Sequence, residues 1–112
     1  MATGWTWTLP TANTDGTPIA SGEITGLVIG VRSTTLSGSV AGTYPITVPV
    51  SNPAATSETF AQAALSLAPD TYQSAINVLA GSTNSGYTAE SPVTQFVIAA
   101  PVPNPCTGFT VA

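Results

Sequence analysis

Apolar and polar residues alternate along most of the chain with a period of two, the pattern of half-buried strands and not of amphipathic helices. Trp5, Trp7 and Leu9 alternate with Thr6 and Thr8 until Pro10 ends the run, which predicts a strand with an aromatic inner face. Residues 11–22 then collect Asn13, Asp15-Gly16 and Pro18. These turn formers are spread too widely for a two-residue hairpin, so a surface loop is expected. Leu27, Ile29 and Val31 form the inward set of a second strand, with Ile24 out of parity at its start and Arg32 near its end. Residues 34–42 are rich in Ser, Thr and Gly and read as a loop or a weak edge. Residues 44–50 alternate again, but Pro45 and Pro49 each lack a ladder donor, which confines the segment to a sheet edge.

The second half continues the pattern. A turn is expected around Asn52-Pro53. In residues 59–67 three Ala and one Gln favour a helix by propensity, yet the run is short and lies between Pro53 and Pro69, so a strand is expected. Tyr72, Ser74, Ile76, Val78 and Ala80 make the cleanest alternation and predict a central strand, followed by a turn over residues 81–86 and a last strand over residues 91–99. Roughly seven short strands separated by turn signals predict an all-β sandwich. Its expected core is Trp7, Ile29, Leu67, Tyr72, Ile76 and Val78.

Composition narrows the chemistry. The 112 residues suffice for one domain, 43% of them are hydrophobic and the mean hydropathy is +0.32, far from the signature of an unfolded chain. Charged residues are 5% of the chain, Arg32 is its one basic residue and His is absent. One Arg in a chain of net charge -4 cannot neutralise a row of phosphates, so nucleic-acid binding is excluded. Without His, and with Cys106 as the lone thiol, no nucleophile-imidazole pair and no zinc-ligand spacing can be written. Asp15, Glu23, Glu58, Asp70 and Glu90 would serve a glycosidase only if two of them faced each other across a cleft. Asp15 in Asn-Thr-Asp-Gly suits an Asx-type turn better than a Ca²⁺ site, which wants several convergent oxygens. The expectation is therefore no enzyme, no catalytic residue, no cofactor and no metal.

The longest apolar stretch, residues 96–100, stops at Pro101 and is too short to span a bilayer, so membrane insertion is not expected. The first residues show no basic or apolar leader pattern, and no signal peptide is expected in the chain as given. Trp5 and Trp7 could stack on a sugar, but they share a strand face with Leu9 and are expected in the core. Arg32 is expected to pair with Glu23, Glu58 or Glu90 on the domain's own surface.

The order of these segments resembles a fibronectin type III domain, a member of the immunoglobulin-like sandwiches. Trp5-Thr-Trp-Thr-Leu-Pro10 is similar to that family's second strand, which would put Trp7 in the core Trp role. Ile24-Thr-Gly-Leu-Val-Ile29 is similar to the third strand, and Leu67-Ala-Pro-Asp-Thr-Tyr72 to the tyrosine corner before the sixth. Glu90-Ser-Pro92 before Val93-Thr-Gln-Phe-Val-Ile98 resembles the turn and final strand. The family's first strand has no counterpart ahead of Trp5, whereas Pro103-Asn-Pro-Cys-Thr-Gly-Phe-Thr-Val-Ala112 looks like one.

The resemblance implies a sandwich over residues 1–100 and a Pro-rich extension over residues 101–112. Thr107, Phe109 and Val111 would then form a strand that fills the first-strand slot of the same or a neighbouring chain; a boundary within a tandem array is the other reading. The functional expectation is a structural protein of a bacteriophage virion, most simply a small capsid decoration or cement protein. It would assemble in the host cytoplasm, contact other virion proteins such as the major capsid protein, and form a homo-oligomer. A tail or head-fibre component, or an exported glycan-binding or adhesive module, is the alternative.

Overall fold

The computed structural model describes residues 3–111, so Met1, Ala2 and Ala112, the ends of the two expected segments, lie outside it. The chain is all-β, built from antiparallel strands in two sheets. Strands β1 (Gly4–Thr6) and β4 (Ser57–Thr59) form a short ribbon. Strands β3 (Ile46–Val50), β2 (Gly26–Ser33), β5 (Asp70–Ala80) and β6 (Thr83–Tyr87) lie side by side in that order, and β7 (Gln95–Ile98) joins β5 near its start.

The period-two parity explains the core. Ile29 stands opposite Val48 and Ile76, and Leu27 opposite Val50 and Val78, so one face of the larger sheet is apolar throughout. Leu27, Ile29 and Val31 are fully buried, with Val48, Val50, Tyr72 and Phe96 beside them. The ribbon lays Trp5 onto this face, edge-on to Phe60 at 4.8 Å and to Phe96 at 5.8 Å between ring centres. Of the six expected core residues, Ile29 and Tyr72 are buried, while Trp7, Leu67, Ile76 and Val78 are half-buried and pack around the same cluster. The physical reason is coverage: the ribbon is too narrow to roof the whole apolar face. The aromatic cluster includes Trp5 and not Trp7, and Phe96 joins Trp5, Phe60 and Tyr72 within it.

Three segments differ from the expectation. Residues 59–67 are not a strand: after β4 the chain makes one helical-type turn. The amide of Gln62 donates to Thr59 Oγ1 at 3.0 Å and that of Thr59 to Gln62 Oε1 at 2.8 Å, a capping box at the start of an Ala-rich run. Ala64 ends this turn in the left-handed region at φ 52°. Residues 81–86 are not only a turn, because Gly81 and Ser82 suffice to reverse the chain and Thr83 already pairs with Ala80. Ahead of β7, Ser91 caps a 3-10 turn over Pro92–Thr94, which shortens the last strand.

The C-terminal extension is a further correction. Thr107, Phe109 and Val111 are exposed and form no strand, so the first-strand slot is not filled by the chain's own tail. Strand β7 leaves the sheet with Ile98 opposite Asp70, heading away from the Ser74 end of β5. Pro101, Pro103 and Pro105 then hold the backbone extended and oppose the reversal that return to β1 would need. With this tail the molecule measures 78 × 30 × 20 Å.

Candidate interaction surface

Strand β1 is paired on one side. Trp7 donates its amide to Thr56 O at 3.0 Å and Phe60 donates to Thr3 O at 2.9 Å, so the odd residues of β1 turn their backbone groups toward β4. The amides and carbonyls of Gly4, Thr6 and Thr8 therefore point to the opposite side, where no backbone partner meets them among the described residues. Beside this open edge runs a groove of about 70 Å³, lined by Trp5, Trp7, Ile76, Thr88 and Thr94 and free of charged side chains. Its floor is polar at one point: the Trp5 indole N–H donates to Ser74 Oγ at 3.1 Å, and that hydroxyl donates to Thr94 O at 2.7 Å. The Trp7 indole N–H is satisfied by Ala55 O at 2.8 Å, so both indole N–H groups are anchored in the fold.

The outer face of the larger sheet carries a second cluster. Arg32 makes a two-point ion pair with Glu90, Nε to Oε2 at 2.8 Å, and both side chains are largely covered, 13% and 12% exposed. Tyr44 donates to the same carboxylate at 2.7 Å and its ring lies 4.6 Å from that of Tyr87. Gly30 makes room for Tyr44, since a Cβ there would stand 2.5 Å from Tyr44 Cγ. The Arg32 hydrogen bond, helped by Tyr44, holds the Glu90 carboxyl below its ordinary value, and burial together with Glu90 raises the Tyr44 hydroxyl. Of the three partners open to Arg32 in the sequence, the fold selects Glu90.

The other carboxylates are mostly occupied by their own loops. Asp15 accepts from the amide and hydroxyl of Thr17 at 3.0 and 2.6 Å, an Asx turn, and these bonds hold its carboxyl below the ordinary pKa. Asp70 is lowered by the hydroxyls of Ser33 and Thr35. Glu23 accepts from the Ala20 amide at 3.2 Å. Glu58 lines a shallow groove of about 440 Å³ with Pro49, Gln62 and Leu65, and no second carboxylate lines it. Among the described residues no three His, Cys, Asp or Glu gather as a metal would require. Cys106 is exposed on the tail.

The tail presents its own apolar side chains to solvent. Phe109 is 90% exposed, Val111 96% and Val102 86%, and residues 101–111 carry no charge. The open edge itself was not legible in the sequence, because Gly4, Thr6 and Thr8 look like any polar set facing water. No family model, curated protein or solved structure matches the chain.

Proposed function

We propose that this is a non-enzymatic structural module of the immunoglobulin-like, fibronectin type III-like kind, working in a bacteriophage virion as a small decoration or cement protein on the capsid. The observation that carries the reading is an almost uncharged surface studded with apolar side chains. Leu36, Val40, Val93 and Val97 are 63, 56, 92 and 55% exposed on a chain with one basic and five acidic residues. Many copies packed in a regular array repel one another as the product of their charges, and hydroxyl and apolar surface avoids that cost. The fold reading is supported by the strand order and by the Tyr72 hydroxyl, which donates to Ala68 O at 2.6 Å, a bond of the tyrosine-corner type. The expected partners are the major capsid protein and further copies of the chain.

Mass spectrometry and immunogold labelling of purified virions test this. The chain is expected on the head surface in a copy number comparable to that of the shell subunit. Its absence from particles, together with retention on a glycan array, would replace the reading by that of an exported adhesive module; labelling confined to the tail would make it a fibre component.

A further inference from the structure

We infer that the open edge of β1 is a docking site for residues 101–111 of a second copy, so that the chain self-associates head to tail by strand exchange. Independent observations on the molecule converge. Among the described residues the backbone groups of Gly4, Thr6 and Thr8 form an unpaired edge, which is a template for an added strand. Beside it the half-buried Trp7, Ile76 and Val78 mark the part of the apolar face that the ribbon leaves uncovered.

The tail brings what this site lacks. Thr107, Phe109 and Val111 fall on one side of an extended segment, so a tail laid along β1 turns all three toward the groove while Gly108 and Thr110 face water. Both surfaces are uncharged, so docking leaves no buried charge unpaired. Direction favours a second copy: the prolines carry the tail outward from the Asp70 end of β5, whereas Trp5 of β1 sits on Ser74 further along that strand. Gly108 now sits at φ 68°, a bend that interrupts any strand, and straightening it on docking is easy for Gly alone.

Each copy offers one edge and one tail at different places on its surface. The contact is therefore heterologous and propagates from copy to copy. It needs nothing beyond the chain itself, so it is tested on purified protein and stands apart from whether a virion binds that protein.

The test is sedimentation velocity on the full chain over a concentration series, with two variants that strike opposite sides of the contact. Phe109→Asp spoils the tail, and Thr6→Pro removes an edge amide that donates to no backbone acceptor in the monomer. The wild type is expected to form a concentration-dependent series of oligomers, and each variant alone to associate at least about tenfold more weakly. Mixed in equal amounts, the two variants should recover a dimer, because the intact tail of one meets the intact edge of the other. A wild type that stays monomeric up to about 1 mM overturns the inference. So do variants that associate as the wild type does, and so does a mixture that yields no dimer. Circular dichroism on each variant establishes that it is folded; if Thr6→Pro is not, Thr8→Pro takes its place in the mixture.

Discussion

The β2–β5 pair and the β1–β4 pair are both antiparallel, yet they are held by different forces. The first runs in unbroken register from Gly26 opposite Leu79 to Ser33 opposite Tyr72, and other strands flank it on both sides. The second runs only from Gly4 opposite Thr59 to Thr6 opposite Ser57, and among the described residues no strand flanks it on either side. So short a ladder cannot hold itself in water. What ties it down is aromatic: Trp5, Phe60 and Phe96 lie within 5.8 Å of one another between ring centres, and both indole N–H groups are bonded to the rest of the fold. The sheet centre thus depends on ladder and apolar burial together, and the ribbon on a few large side chains.

That contrast can be broken from either side. Trp5→Ala removes the anchor of the ribbon and should cost about 3 kcal/mol or more in urea unfolding. Ile29→Ala, in the centre of the larger sheet, should cost about 2–4 kcal/mol. If the ribbon were held by its ladder, the first change would be the milder of the two. Gly30→Ala tests the outer face of the sheet, where the added methyl meets Tyr44 and should cost about 1–3 kcal/mol in the same assay.

Acid should act on the outer face. The folded Glu90 carboxyl is held below its ordinary value, so its contribution is fully present above the unfolded value of about 4.3 and is lost as pH falls through the folded one. Asp70 and Asp15 shift the same way. The melting temperature should therefore fall below about pH 4. Glu90→Gln should lower it at neutral pH, because Arg32 loses its ion partner, and should make the acid decline shallower. An unchanged acid slope would assign the decline to the other carboxylates.

The smallest effect is expected at the open edge. Thr6→Pro removes an amide that donates to no backbone acceptor, so in dilute solution, where the chain is a monomer, it should change stability by about 1 kcal/mol or less. A large loss would show that the edge of β1 is occupied within the chain.

Legibility in the sequence followed the range of the interaction. Leu27, Ile29, Val31 and Tyr72 were readable as inward positions because parity is a local property of a strand. The Asp15 turn was readable because the bonding group lies two residues away. The turn after Thr59 had a readable signal, Thr59 followed three positions later by Gln62, but the neighbouring prolines suggested a strand. Strand β6 had none: Thr83-Asn-Ser-Gly-Tyr87 shows no apolar alternation, since it lies exposed on the sheet edge. Phe109 and Val111 carried the alternation of a strand without a partner in their own chain, a reminder that periodicity states a face and not a neighbour.

By itself the amino-acid order determined an all-β chain, the inward face of its long strands, and a surface with a single basic residue. Only the tertiary structure decided that Arg32 takes Glu90 fifty-eight positions away, that Trp5 and not Trp7 joins the aromatic cluster around Phe96, and that β1 keeps one edge open among the described residues. The reason is physical. Alternation specifies which side of a strand avoids water within a few residues, whereas pairing is a competition among distant segments, settled by loop closure, packing and coverage of the whole sheet.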